Sequence, residues 1–78
     1  MTASTAALLE DALRRVAGPD AQPASMIVDY AAAEAVSTHR AWIERSTRSL
    51  VFAQAEARTE DGNLVATAAA VFRRVTQG

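Results

Sequence analysis

The stretch from Ser49 to Arg74 limits the possible fold of this chain more than any other. Within it, two segments that alternate residue by residue are joined by the acidic, glycine-containing run Thr-Glu-Asp-Gly-Asn. Alternation with a period of two is typical of β-strands, and glycine in a short loop takes positive φ without steric cost. The stretch therefore predicts a β-hairpin.

Each arm of the predicted hairpin has one face that can be buried while the other meets water. The inward-facing residues are mostly alanine: Val51, Ala53, Ala55 and Ala57 on the first arm, and Leu64, Ala66, Ala68, Ala70 and Phe72 on the second. A sheet with such a face needs a second layer to cover it.

The segment from Ser4 to Ala17 predicts an amphipathic helix that can supply this layer. Its apolar residues recur at three- and four-residue spacing, and Ser4 suits the N-cap position. Gly18-Pro19 is a typical stop signal, because glycine suits the position just past a helix and proline cannot continue one.

Two further strands are predicted between the helix and the hairpin. After a loop over residues 18–23, the β-branched and aromatic residues of the segment 24–30 favour a strand. The alanine-rich segment 31–35 is too short to form a helix alone and predicts a connector, and Val36 to Arg45 predicts the next strand. The expected fold is a single α+β domain over residues 1–78, with one helix packed on an antiparallel sheet of about four strands.

The chain is short for an independent domain. A domain of 78 residues buries only about 60 to 65% of the surface that its unfolded chain exposes. Cysteine is absent, so neither a disulfide nor a thiolate metal site adds stability. Self-association as a dimer or tetramer is therefore expected.

Charge and hydropathy argue against nucleic acid and membranes as partners. The formal net charge is −1, which creates no global field to attract nucleic acid or an anionic bilayer. No apolar run approaches the roughly 18 to 20 residues of a membrane span, and no basic segment precedes an apolar core at the N-terminus. We expect a cytoplasmic protein. With His39 as the single histidine, neither a metal site nor a cofactor is expected.

The hairpin and the helix together resemble one enzyme superfamily. The motifs that carry the resemblance are Arg48-Ser-Leu-Val-Phe-Ala, then Asp61-Gly followed by Leu-Val-Ala-Thr-Ala and an aromatic residue, and Thr5-Ala-Ala-Leu-Leu-Glu in the helix. In this order they are similar to the C-terminal part of a hotdog-fold acyl-CoA thioesterase, of the branch related to phenylacetate-degradation thioesterases. The family's first strand and its His-Gly-Gly motif have no counterpart in the sequence.

The resemblance implies a hotdog-like fold, in which a strongly curved antiparallel sheet wraps a central helix and two units join edge to edge. The missing first strand would leave the sheet edge beside residues 36–45 open, and an open edge invites pairing with another chain. The resemblance also implies a function, which is hydrolysis of an acyl-CoA or another thioester at a site formed at the subunit interface.

The same resemblance assigns roles to individual residues. Glu10 falls at the acidic catalytic position, with Asp11 as the alternative if the register slips. Backbone N–H groups of Thr5 and Ala6 at the helix N-terminus would hold the oxyanion. At the subunit boundary, the phosphates of coenzyme A would be bound by two arginines, Arg45 and Arg48.

Each of these roles competes with a purely structural interpretation. Glu10 with Arg14, and Asp11 with Arg15, are acid-to-base pairs four residues apart, which commonly do no more than stabilise an exposed helix face. Two functional alternatives also stay open. One is a non-catalytic module that binds an acyl ligand between helix and sheet, and the other is a structural homo-oligomer.

Overall fold

The computed structural model describes residues 4–75, and its first element is the helix α1, Thr5–Ala17. The Ser4 hydroxyl accepts a hydrogen bond from the Ala7 N–H at 3.1 Å, which makes Ser4 the N-cap as predicted. The helix ends at Gly18, whose φ of 100° lies in the region that favours glycine. Leu9 and Leu13 are fully buried on the side that faces the sheet. The predicted helix is confirmed.

Four strands follow the helix and form one antiparallel sheet. They are β1, Ala21–Tyr30; β2, Thr38–Ser46; β3, Leu50–Arg58; and β4, Leu64–Arg74. Their order in the sheet is β1-β4-β3-β2, so β1 and β2 are the two edge strands of the described residues. The predicted α+β arrangement, one helix against a four-stranded antiparallel sheet, is confirmed.

The central hairpin of β3 and β4 confirms the prediction made from its alternating pattern. Val51 lies opposite Phe72, and Ala53 lies opposite Ala70. Gly62 in the connecting loop has a φ of 88°, which glycine adopts without strain.

One part of the predicted alternation is wrong. A register shift between Ala57 and Arg58 pairs Arg58 with Leu64 and Ala57 with Ala66, so that Val65 is an extra residue on β4. Because of this β-bulge, Val65 is buried and Leu64, predicted to lie with Ala66, is only partly buried.

The predicted loop over residues 18–23 is also wrong, because β1 already begins at Ala21. Pro23 suggested a loop, but proline is tolerated in an edge strand, where one side of the backbone needs no partner. The ladder is irregular between Pro23 and Ser25. The connector predicted at 31–35 is confirmed and extends to residue 37, so β2 begins two residues later than expected.

The core consists of small side chains. Within residues 4–75, twelve hydrophobic residues are buried, and seven of them are alanines: Leu9, Leu13, Ala17, Val51, Ala53, Ala55, Ala57, Val65, Ala66, Ala68, Ala70 and Phe72. Alanine on the sheet lets the helix approach closely, but each alanine contributes little buried area. Phe72 is the largest side chain in this core.

The sheet has two distinct faces. The helix face carries Val51, Phe72 and the alanines that pack under α1. The outer face carries the residues between them on each strand, including Phe52 and Val71, which lie opposite one another. The Cα atoms span only 16 Å in the thinnest direction, as expected for one helix on one sheet, so nothing within residues 4–75 covers the outer face.

Candidate functional site

Glu10 and Asp11, the two candidate catalytic acids, lie on opposite flanks of α1. Glu10 lines a groove of about 280 Å³ between α1 and the edge strand β1. Asp11 lines a different groove of about 370 Å³ between α1 and β2. Consecutive residues on a helix point about 100° apart, which separates the two carboxylates onto different sides of the same helix.

The Glu10 groove combines one carboxylate with apolar walls. Its lining includes Met26 of β1 and Phe72 and Ala70 of β4, with Pro23 near the start of β1. The remaining lining residues are Arg14, Ala24 and Ser25. An apolar cleft with a few polar groups at its rim is the usual form of a site for an organic ligand.

The Glu10 carboxylate is partly engaged. Its Oε2 accepts a hydrogen bond from Nε of Arg14 at 2.9 Å and forms an ion pair with the terminal nitrogen Nη2 of the same guanidinium, also at 2.9 Å. Its Oε1 has no hydrogen-bond partner among residues 4–75, and the side chain is 46% exposed. One carboxylate oxygen is thus free to accept a proton from water or to approach a ligand.

Asp11 is more exposed and less well placed for chemistry. It pairs with Arg15 at 3.0 Å, and its side chain is 61% exposed. His39 and Arg40 of β2 line the same groove. No local sequence pattern links Asp11 with His39, because their proximity depends on how α1 crosses the sheet.

Glu10 lies in the second turn of α1, close to the N–H groups of the helix N-terminus. The cap takes up two of the first N–H groups, since Ala7 donates to the Ser4 hydroxyl and Leu8 donates to the Ser4 carbonyl. The Thr5 and Ala6 N–H groups have no partner among the described residues. Ala6 precedes Glu10 by four residues, so the two share a helix face and are separated by about 6 Å along the axis.

The two arginines assigned to coenzyme A are not at the Glu10 groove of the same chain. Arg45 lies opposite Phe52, on the outer face of the sheet. Arg48 is exposed in the turn between β2 and β3. The arginine that lines the Glu10 groove is Arg14, which the sequence assigned only to a helix-surface ion pair.

The carboxylate of Glu56, on β3, lies between two arginines. It accepts hydrogen bonds from Arg58 at 3.0 Å and from Arg40 at 2.7 Å. These bonds, the one from Arg58 foremost, lower the pKa of Glu56 below its ordinary value of 4.5. Glu56 belongs to the outer face, so this ion-pair cluster is separate from the Glu10 groove.

Among residues 4–75, no helix is both long and apolar enough to cross a membrane. The described part of the chain also contains no group of three or more His, Cys, Asp or Glu side chains that could hold a metal ion. Comparison with protein-family models, with curated proteins and with solved structures finds no significant match to this chain.

Proposed function

We propose that this protein is a hotdog-type thioesterase that hydrolyses acyl-CoA or a related thioester, with Glu10 as its catalytic carboxylate. The observation that carries the proposal is the Glu10 groove, where a carboxylate with one unpartnered oxygen borders an apolar cleft walled by Met26 and Phe72. An acyl chain fits such a cleft by its hydrophobicity, and the carboxylate supplies the group that activates water.

The strand order supports the hotdog assignment. The resemblance in sequence predicts that a preceding strand is missing beside residues 36–45, and β2 is an edge strand of the described sheet. The single helix precedes all four strands and packs on one face of the sheet, which is the arrangement that the resemblance implies for this part of the fold.

The proposed chemistry uses groups from α1 alone. Glu10 takes a proton from water, and the hydroxide attacks the thioester carbonyl carbon. The resulting oxyanion accepts hydrogen bonds from the Thr5 and Ala6 N–H groups, where the helix dipole also favours negative charge. The intermediate then expels the thiolate, which takes the proton back from Glu10, leaving a carboxylic acid and free thiol. In the other route open to the family, the Glu10 carboxylate attacks the carbonyl carbon and the C–S bond breaks. The thiolate leaves and is protonated by solvent, and water then hydrolyses the resulting anhydride to release the carboxylic acid and restore Glu10.

The edge strand β1 suggests how a second copy completes the site. The Ala31 N–H donates to the Val65 carbonyl of β4 at 2.8 Å. Because N–H groups alternate in direction along a strand, those of Met26, Val28 and Tyr30 point away from β4. An edge of this kind, without lysine or arginine over residues 25–30, is ready to pair with another strand.

Both edges carry features that hinder pairing, but β2 carries more charge. On β1 these features are Pro23, the irregular ladder between Pro23 and Ser25, and the single charge of Asp29, which leaves residues 25–30 as a regular edge.

Strand β2 carries Arg40, Glu44 and Arg45, and its ladder is irregular between Ile43 and Arg45. Charges and bulges are the usual means of blocking an edge. We therefore assign self-association to β1 rather than to the edge at residues 36–45, where the resemblance predicts it. Strand β1 also lines the Glu10 groove, so a partner strand there would extend the groove's wall. Arg45 and Arg48 would reach coenzyme A only if the ligand extends across a subunit boundary.

One observation favours a second candidate, a module that binds an acyl ligand without hydrolysing it. Glu10 and Asp11 are each paired with an arginine one helical turn further along α1. This is the ordinary pattern of an exposed helix surface. A binding module would use the same apolar groove, with Glu10 only keeping Arg14 in position.

The experiment that tests the proposal is the release of free coenzyme A from a short panel of aryl and aliphatic acyl-CoA thioesters. We expect turnover of at least one substrate, above the rate in buffer. Saturable binding of an acyl-CoA without turnover would favour the binding module instead. If the folded chain shows neither turnover nor binding, only a structural role remains.

A further inference from the structure

The outer face of the sheet contains a second groove, separate from the proposed catalytic site. It has a volume of about 330 Å³, which is at the lower end of the range for small-molecule sites. Its apolar lining comes from three strands and includes Ile27, Phe52, Ala69 and Val71. We call this the outer-face groove. Ile27 is 65% exposed, which is unusual for a large apolar side chain beside other apolar residues.

A cation lies at one rim of the outer-face groove. Arg45 lines it, and the Arg45 guanidinium has no hydrogen-bond or ion-pair partner within residues 4–75. The neighbouring acid, Glu44, also lines the groove, but its Oε2 accepts a hydrogen bond from the Trp42 indole N–H at 3.0 Å. Trp42 is in turn stacked by Arg40, with the guanidinium carbon 5.0 Å from the ring centroid.

This arrangement leaves Arg45 as the group available to a ligand. An apolar body would cover Ile27, Phe52 and Val71, and its anionic end would meet the guanidinium. A planar guanidinium binds a carboxylate through two parallel N–H···O hydrogen bonds. We propose that the outer-face groove binds small amphipathic carboxylates, with Arg45 as the residue that recognises the charge. This inference does not depend on the proposed hydrolysis at Glu10.

The test uses octanoate as the probe and 1-octanol as its uncharged counterpart. Trp42 is the only tryptophan, and its partner Glu44 lines the groove, so indole fluorescence should report binding. Isothermal titration calorimetry covers the case in which the indole does not respond. We expect saturable octanoate binding at least tenfold tighter than that of 1-octanol, and weaker binding at higher ionic strength.

Three variants locate the site. Arg45→Gln should weaken octanoate binding about tenfold and leave 1-octanol unaffected. Arg73→Gln is the matched control, because Arg73 lies opposite Leu50 on the outer face but does not line the groove. Ala69→Phe should fill the groove and abolish octanoate binding. Far-UV circular dichroism confirms that each variant is folded.

Several results would overturn the proposal. The first is the absence of octanoate binding by either method. The second is equal affinity for octanoate and 1-octanol, and the third is an equal effect of Arg45→Gln and Arg73→Gln on octanoate binding. A second copy of the chain is the competing occupant of an exposed apolar face. Sedimentation velocity in which Phe52→Ser, a change on β3 away from the β1 edge, converts the parent to a smaller species would assign the groove to that copy and contradict ligand binding.

Discussion

At the scale of single residues, the structure shows a cluster of ion pairs around Glu56 that the sequence pattern did not predict. Glu56 is held between Arg58 and Arg40, and its side chain is only 14% exposed. The pairing spans two strands, since Arg40 lies on β2 directly opposite Glu56 on β3. A cross-strand ion pair of this kind helps to fix the register of β2 against β3.

The lowered pKa of Glu56 predicts a pH-dependent contribution to stability. Because the folded pKa lies below the ordinary value of 4.5, the stabilisation is fully present above about that pH and is lost as pH falls through the folded pKa. Glu56→Gln should therefore lower the melting temperature at pH 7, and the difference from the parent should shrink towards zero below the folded pKa.

Thermal unfolding followed by circular dichroism at fixed protein concentration measures this difference. Glu60→Gln is a suitable control, since Glu60 is exposed in the loop between β3 and β4. Its melting temperature should follow that of the parent at every pH. A Glu56→Gln difference that persisted unchanged in acid would mean that packing, rather than the ionised carboxylate, is responsible.

At the scale of secondary structure elements, the edge strand β1 decides how the protein associates. Val28→Pro removes an N–H group that points away from β4, so the fold can keep its internal ladder while losing one donor to a partner strand. We expect Val28→Pro to sediment as a smaller species than the parent at micromolar concentration.

Val28→Ala is the matched control for this variant. It loses a similar part of the side chain, which packs against the core, but keeps the N–H group. The assignment to β1 would be contradicted if the two variants dissociated equally, or if the parent itself were a stable monomer.

The two faces of the hairpin differ in how much their side chains contribute to the free energy of unfolding. Phe72 is 1% exposed on the helix face, whereas Phe52 lies on the outer face. Phe72→Ala should cost about 3 to 5 kcal/mol of unfolding free energy, which is comparable to the entire stability of a small domain. Phe52→Ala should cost clearly less. Urea unfolding monitored by circular dichroism compares them, and equal losses would show that the outer face is covered in solution.

At the scale of the whole molecule, the sequence predicted the elements better than their junctions. The helix and hairpin follow from periodicity and from Ser4, Gly18 and Gly62, each of which acts locally. The start of β1 was missed because Pro23 is a loop signal unless its strand is known to lie at an edge. The bulge at Val65 depends on cross-strand register, which local pattern does not encode.

The residues of the candidate site also depend on register and helix placement, which local sequence pattern does not encode. Glu10 was selected through the resemblance, and its position beside an apolar groove is a finding of the structure. Arg45 could not be placed, because strict alternation would put it on the same face as Ala41 and Ile43. The register shift between Ile43 and Arg45 moves it to the outer face, away from Glu10. Arg14 and Met26 were missed as lining residues because their position depends on how α1 lies across β1.

The most direct test of the central claim compares turnover of an acyl-CoA by the parent, Glu10→Gln and Asp11→Asn. Each variant removes one carboxylate, keeps the size of the side chain and breaks one ion pair with an arginine four residues further on. A general base contributes about 10² to 10⁴ in rate, so we predict a loss of this size in kcat/KM for Glu10→Gln and little change for Asp11→Asn. Equal rates for Glu10→Gln and the parent, or a larger loss for Asp11→Asn, would contradict the assignment of catalysis to Glu10.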